Sequence, residues 1–355
     1  MLAVIERVAI RQSKNTRLEL RDTAIGIRAA KIGSHLARLL PRRSLVSLLV
    51  FFTAAILQGF PAMKGNAFVH QENTTDGTAD EQTHPYLEDT PKQLVKHVPE
   101  LKGLRPAADQ QELAMILGKT ADRVDEFFSN VVDLVAHEEI RQERNGYSSR
   151  ARAVKDNYLI VHHGNGGEPI FDEFRMDENG NRVAEVGTQR GFLVTSGFAL
   201  ICVHFSLEFR RDSQFRYLGE QRIHKRDAYV VAFAQLPKAQ LTVTMTGPRG
   251  IAVKMLTQGV AWIDKEDFRI IRMRTDLLAP HREIGLDVDT TKVNFGEVLL
   301  ADVPAPLWLP REVEVYVKLG EAEGRFEERF RNVHRYSDYR RYRVSTKIVN
   351  PAVNQ

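Results

Sequence analysis

From residue 91 onward the hydrophobic period divides the chain in two: apolar positions recur at helical spacing up to about residue 146 and alternate beyond it. Pro91-Lys92-Gln93-Leu94-Val95 opens a short helix that stops near Pro99, and Pro106 or Ala107 starts the next. The longest stripe runs from Ala121 to Arg144. Val124, Phe127, Phe128, Val131, Val132, Leu134 and Val135 recur at three- and four-residue spacing and predict one amphipathic helix. Arg141 and Arg144 suit the negative end of its dipole, and Asn145-Gly146 is a natural stop.

After Tyr147 the period is two. Strands are expected at Tyr158–His162, Phe171–Met176, Phe198–Phe205, Arg216–Ile223 and Ala228–Gln235. Gln258–Asp264 and Phe268–Leu277 form a hairpin around Lys265-Glu266-Asp267. Thr291–Leu300, Pro310–Leu319 and Arg325–Val333 continue the series, with a last edge strand at Tyr342–Ile348. Val313, Val315, Val317 and Leu319 oppose Glu312, Glu314 and Lys318; Ile271, Met273, Thr275 and Leu277 oppose Arg272, Arg274 and Asp276. Such alternation means an antiparallel sheet with one face buried and one wet. Short spacings without crossover helices exclude a parallel α/β fold, so the class is α+β.

The pattern before residue 91 concerns location. Arg42-Arg43 stands before the apolar run Ser44–Leu57, and Gly65-Asn66-Ala67 places small residues after a short spacer, as in a secretory signal at about 42–67. The run falls short of the roughly 20 residues of a membrane span. Cleavage and retention as an anchor both fit it, and the Arg pair matches a twin-arginine signal only loosely. With no cysteine near residue 67 for lipid attachment, the mature chain is expected to be soluble. Residues 68–90 read as a polar linker, and the organisation is 1–67 extension and signal, 68–90 linker, 91–146 helical region, 147–349 antiparallel β domain.

Charge follows the same division. The whole chain carries +4, but residues 1–43 alone carry +7 and Lys64 one more, which leaves −4 on Phe68–Gln355. The basic balance belongs to the N-terminal extension and signal, which the mature chain would lack, so no nucleic-acid partner is inferred. Cys202 is the only cysteine; it excludes an internal disulfide, and its apolar neighbours place it in the core.

Motifs for chemistry fail on inspection. His137-Glu138-Glu139-Ile140-Arg141 begins like a zinc-protease helix, but Arg141 stands where the second histidine is needed, so a solvated helix face is expected. His162 and His163, adjacent on a strand, point to opposite faces. Thr195-Ser196-Gly197 lacks the first glycine of a nucleophile elbow, and Gly164–Gly167 lacks the Lys-Ser/Thr of a phosphate loop. No metal or cofactor is expected. A secreted hydrolase would need two or more of Asp172, Glu173, His162 and His204 to converge in one cleft on folding. The basic-aromatic tail offers membrane contact through Arg335, Arg340, Arg341 and Arg343, or else is a charge-protected edge strand.

Gly259-Val260-Ala261-Trp262-Ile263-Asp264 followed by Phe268-Arg269-Ile270-Ile271-Arg272, with Pro310-Arg311-Glu312-Val313 and Tyr336-Ser337-Asp338-Tyr339 further on, resembles the periplasmic lipoprotein-carrier and outer-membrane lipoprotein-sorting superfamily over about residues 150–345. The resemblance also extends to uncharacterised bacterial secreted proteins. It implies a curved antiparallel sheet, a half-open barrel, with helices against its concave face and an apolar cavity suited to acyl chains. Phe233, Trp262, Ile271, Met273, Val313 and Val315 would line that cavity, or else simply form the core. The expected function is an exported, non-enzymatic envelope protein holding a lipid, lipoprotein or other apolar ligand; the alternatives are a structural or interaction protein of the envelope, and the hydrolase.

Overall fold

The computed structural model describes residues 85–342 apart from 147–148, 164–169, 184–186, 190, 224, 247–249, 302, 304 and 321–326. The signal, residues 68–84 of the linker, the Gly164–Gly167 turn, the side chain of His162, His224, Arg343 and the strand expected after Tyr342 therefore lie outside the described residues.

Helix α1 spans Pro85–Glu88 and α2 spans Pro91–His97. The second begins where Thr90 accepts the Gln93 amide and the Gln93 side chain accepts the Thr90 amide, with Pro91 preset at the first helical position. A 3-10 turn at Pro99–Leu101 and the short strand β1, Arg105–Pro106, follow. Helix α3 runs from Leu113 to Asn130. It does not reach Arg144 as the stripe predicts: from Leu134 to Asn145 the chain is strand β2, with Ala136, Glu138, Ile140 and Gln142 buried on one side. The apolar residues Val131, Val132, Leu134 and Val135 that extend the helical stripe lead straight into this two-residue period, and pairing with two neighbouring strands decides for the strand. The solvated helix face at His137–Arg141 is corrected on the same ground, because Glu138 is fully buried.

The remaining strands of the sheet are β3 (Arg150–His163), β4 (Ile170–Met176), β7 (Ser213–Ile223), β8 (Arg226–Gln235), β11 (Thr257–Asp264), β12 (Ile270–Leu277), β13 (Leu286–Val298), β14 (Leu307–Leu319) and β15 (Glu328–Arg341); β5 (Gly187–Gln189) pairs with β6 (Phe192–Val194), and β9 (Val243–Thr246) with β10 (Ala252–Met255), outside it. Among the described residues eleven strands order as β1-β7-β8-β11-β12-β13-β14-β15-β2-β3-β4, every neighbour antiparallel. The α+β class and the half-open barrel hold: β1 and β4 never meet, and bulges in β7, β11–β12, β13–β14 and β15 bend the strands. The β11–β12 hairpin turns at Lys265–Asp267 as expected; Asp264 accepts the Glu266 amide, and Phe268 takes a positive φ of 61°. Phe198–Phe205 is no strand. It is a buried irregular segment ending in a 3-10 turn at Ile201–Phe205, since a continuous apolar run carries no period to distinguish the two.

The sheet is not wet on one side throughout. One face carries the larger core under α3 and residues 192–206; the other packs Leu94, Val98 and Leu101 against Leu218, Val230, Val260 and Trp262. The middle strands β8 and β11 are consequently buried on both faces. Beyond the N-terminal helices this second face becomes a solvated charge ladder, in which Lys292, Glu314, Arg331 and Glu143 pair in turn across β13, β14, β15 and β2. Strand β15 is internal, lying between β14 and β2, so the edge-strand reading of its arginines is corrected. Gly259 is required by close approach: a Cβ there would stand 2.2 Å from the Arg274 carbonyl oxygen and 2.6 Å from the Phe233 ring.

Candidate functional site

Residues Phe192–Phe205 press against the sheet on the α3 face, almost all of them buried. A buried irregular segment must find partners for its amides and carbonyls, and here side chains from the sheet supply them. Gln142 from β2 and Asn332 from β15 both donate to the Leu193 carbonyl. Arg175 from β4 donates to the Thr195 carbonyl, while the Thr195 hydroxyl meets His334 Nε2 at 3.1 Å. Glu173 accepts the amides of Phe198 at 2.8 Å, Ala199 at 2.9 Å and Leu200 at 3.2 Å, and the Tyr158 hydroxyl. The segment is thus strapped down from three strands, β2, β4 and β15, with Tyr158 of β3 supporting Glu173.

At the centre of this array lies a buried ion pair. Arg175 makes a two-pronged contact to Glu138, whose Oε1 also meets His334 Nδ1 at 2.9 Å. Burial pushes the Glu138 carboxyl up, but the Arg175 guanidinium and the His334 contact outweigh it and hold it below the ordinary range. Burial pushes His334 down against the pull of Glu138, leaving a neutral imidazole. That ring is consistent with Nδ1–H donating to Glu138 and Nε2 accepting from Thr195, the tautomer being set by the network. Glu173 goes the other way: burial raises it, and its four donors offset this only in part. These groups face each other and the strap in a sealed interior.

Open volume lies further along the same face. A cavity of about 390 Å³ sits between the C-terminal half of α3 and the ends of β12, β13 and β14. Val124, Phe127, Ile270, Phe295 and Leu307 are its apolar lining, joined by Cys202, by Trp308, which also packs against the second core, and by Val303, Ala305 and Pro306 before β14. Arg123, Glu126, Arg269 and Arg341 stand among its lining residues. The Trp308 indole donates to the Ile270 carbonyl at 2.8 Å, which fixes one wall. Burial raises the Cys202 thiol to about 12, so it is a neutral wall group.

The six residues expected to line a cavity are all buried, but on two faces. Phe233, Met273, Val313 and Val315 belong to the α3-face core; Trp262 and Ile271 lie on the α1–α2 face. Ile271 and Met273 are separated because the bulge between Trp262 and Ile263 pairs Ile263 with Ile270 and leaves Ile271 out of the ladder. None of the six is among the lining residues of the 390 Å³ cavity. Of the acids and histidines weighed for hydrolysis, Glu173 is strapped to residues 198–200, Asp172 is exposed, and His204 is buried against Phe233 with ring centroids 4.9 Å apart. None of them lines the cavity either, and among the described residues no three His, Cys, Asp or Glu gather as a metal site. Of the basic tail, Arg335 pairs with Glu312 at 3.1 Å and Arg341 reaches the cavity lining. Arg175 and the cavity residues Val303, Ala305 and Pro306 were not singled out by sequence reasoning, and Glu138 entered only through the rejected zinc-protease motif. The available signal was a charge standing in the buried phase of an alternating segment, as Glu138 does between Ala136 and Ile140.

No protein-family model matches the chain, and no curated protein matches it. Among solved structures it is similar to a putative outer membrane lipoprotein-sorting protein domain from Vibrio parahaemolyticus, at 14% identity and a TM-score of 0.32 over 63% of this chain and 90% of that one. It is also similar to a DUF1329 family protein from Desulfovibrio piger, at 12% identity and 0.33 over 66% and 94%. A third likeness is to a LolA superfamily protein from Nitrosomonas europaea, at 12% identity and 0.29 over 64% and 94%. At this level of overlap it is the strand order and register that define the fold of this chain.

Proposed function

We propose that the chain is an exported envelope protein that holds a lipid, the acyl part of a lipoprotein or another apolar ligand in the cavity between α3 and the ends of β12–β14. The observation that carries the reading is a mostly apolar cavity of about 390 Å³ on the α3 face of the sheet, beside the larger core. Ligand pockets are typically about 300–1,000 Å³, mostly apolar, with a few placed polar groups. Export rests on the Arg42–Ala67 signal pattern. The reading is of a binder and not an enzyme, because the acids whose pKa is raised by burial, Asp125, Asp156 and Glu173, are not among the cavity's lining residues, and Glu173 is bonded to its own chain.

The test is titration of the purified chain with the neutral fluorescent hydrophobe N-phenyl-1-naphthylamine, followed by displacement with alcohols of increasing chain length. Each methylene buried contributes about 0.8 kcal/mol, so shortening the competitor by two carbons weakens it about fifteen-fold while the chain lies inside. Ala305→Trp, at an exposed position on the cavity loop, is expected to weaken uptake at least ten-fold without unfolding the protein. A folded chain that takes up no probe, or takes it up equally well as Ala305→Trp, ends the proposal. Recovery of the intact product among cytosolic proteins ends its export half.

A further inference from the structure

Resting on that reading, we infer that Phe268, at the turn between β11 and β12, is the positioning residue that holds the α3 wall of the cavity in place and so makes the cavity selective for an unbranched chain.

Phe268 takes a φ of 61°, in the left-handed region, which a bulky side chain enters only at a cost in free energy and glycine or asparagine enters far more readily. Such a conformation persists where the surroundings over-determine it. Three contacts do so here. The Phe268 amide donates to the Asp264 carbonyl at 3.0 Å and closes the turn. The ring lies against Tyr229 of β8, with centroids 5.8 Å apart and planes 26° from parallel. Lys119 of α3 stands over the same ring, its ammonium 4.5 Å from the centroid. The chain thus keeps a phenylalanine where the backbone alone asks for glycine, and what the ring adds is a hold on α3.

One turn further along α3, Arg123 donates from Nε to the Asp267 carbonyl at 3.0 Å. Lys119 and Arg123 are four residues apart and share one side of the helix, so α3 is tied twice to the same turn. Val124, directly after Arg123, and Phe127 line the cavity from α3; Arg269 and Ile270, directly after Phe268, line it from the sheet. The spacing of these two walls is therefore set where Asp267 and Phe268 meet the helix. The Asp267 carboxylate accepts the Arg269 amide at 3.0 Å, which stiffens the turn as it passes into β12. Elsewhere on α3, Asp125 accepts the Leu207 amide at 3.3 Å and ties the same stretch of helix to the chain after residues 192–206. A wall held at these points does not widen to take a branch without breaking contacts, and added bulk against fixed packing is opposed. An unbranched chain with the same number of carbons meets no such opposition.

The experiment compares dodecanol with its branched isomer 2-butyloctanol as competitors of N-phenyl-1-naphthylamine. The two carry the same carbons, so transfer out of water largely cancels in their affinity ratio and fit to the walls remains. The wild-type chain should bind dodecanol at least five-fold more tightly. Phe268→Gly and Phe268→Asn, which accept the left-handed backbone without the ring, should bring the ratio below two-fold, while Phe268→Tyr, which keeps the ring, should leave it as in wild type. Lys119→Gln, at an exposed position on α3, should lower the ratio at least two-fold. Arg331→Gln, on the charge ladder of the other face, should not move it. A purely structural role for Phe268 lowers the Tm of its variants and leaves the ratio alone. That result overturns the inference, as does a wild-type ratio near one, and both leave the apolar-cavity reading standing. Should the glycine and asparagine variants not fold, Lys119→Gln decides by the same ratio. If neither isomer displaces the probe, the cavity reading falls and takes this one with it.

Discussion

Arg175→Met tests the ion pair that fastens the strap. The side chain is 2% exposed and its partner Glu138 is fully buried, so removing the guanidinium strands a buried carboxylate that keeps the His334 contact but loses its two-pronged cation, and takes a donor from the Thr195 carbonyl. Breaking a buried pair from one side costs about 3–5 kcal/mol. At roughly 2–4 °C per kcal/mol for a chain of this size, that is a fall in Tm of about 6–20 °C. Replacing both partners is different in kind, because the desolvation of both charges is then removed together. Glu138→Leu/Arg175→Met should recover at least about 2 kcal/mol relative to the sum of the two single changes. Urea unfolding of wild type, both singles and the double, followed by circular dichroism and by tryptophan fluorescence, gives the cycle once coincident transitions establish two-state behaviour. A loss below about 1 kcal/mol for Arg175→Met, or strict additivity in the double, refutes the assignment of Glu138 and Arg175 as a coupled buried pair.

Acid should weaken the fold through His204 as well. Burial lowers its pKa to about 4 from 6.5, so as pH falls the unfolded chain takes up the proton first. The contribution is complete above pH 6.5 and is lost between 6.5 and 4, about 3 kcal/mol in all at 1.36 kcal/mol per unit. His204→Phe should flatten the stability profile in that window; an unchanged slope would show that His204 does not carry it. On the opposite face, Trp262 Nε1 donates to Gln221 Oε1 at 2.8 Å, and Gln221 Nε2 donates to the carbonyls of Glu100 and Lys102. Trp262→Phe leaves that amide oxygen buried without its donor, a loss of about 1–3 kcal/mol. Limited proteolysis should then cut first within residues 98–105, and cleavage elsewhere at the same rate as wild type would count against this hinge.

What was legible in the sequence follows from which faces are wet. Strand β14 could be read residue by residue because Val313, Val315 and Val317 go inward while Glu314 and Lys318 join a solvated ladder. Strand β11 was found from its β-branched and aromatic composition, but that both its faces are buried depends on α2 and the Pro99–Leu101 turn lying over it, a contact between segments more than 150 residues apart. The helix drawn to Arg144 failed where two periods overlap: Val131, Val132, Leu134 and Val135 serve either, and only the pairing of β2 with β15 and β3 chooses. A one-residue bulge was enough to part Ile271 from Met273, since side chains change face with every residue. The cavity was the least legible feature because its lining comes from element ends, where there is no period to read.

The strap shows that the missing information was partly present. In β2 the buried phase runs Ala136, Glu138, Ile140, Gln142, and in β4 Glu173 and Arg175 share the buried phase. A charge in the phase that alternation reserves for the core costs too much to stay there alone, so it implies a partner of opposite sign in the same phase of another strand. Glu138 and Arg175 are such a pair, brought together across β3, which lies between their strands in the sheet. The remaining acid, Glu173, has no cation of its own and is answered by three consecutive backbone amides instead. That requirement explains why residues 198–200 form no strand: their amides point at one carboxylate, which a ladder would not allow, and so the apolar run Phe198–Phe205 becomes a strap across the sheet and not one more member of it.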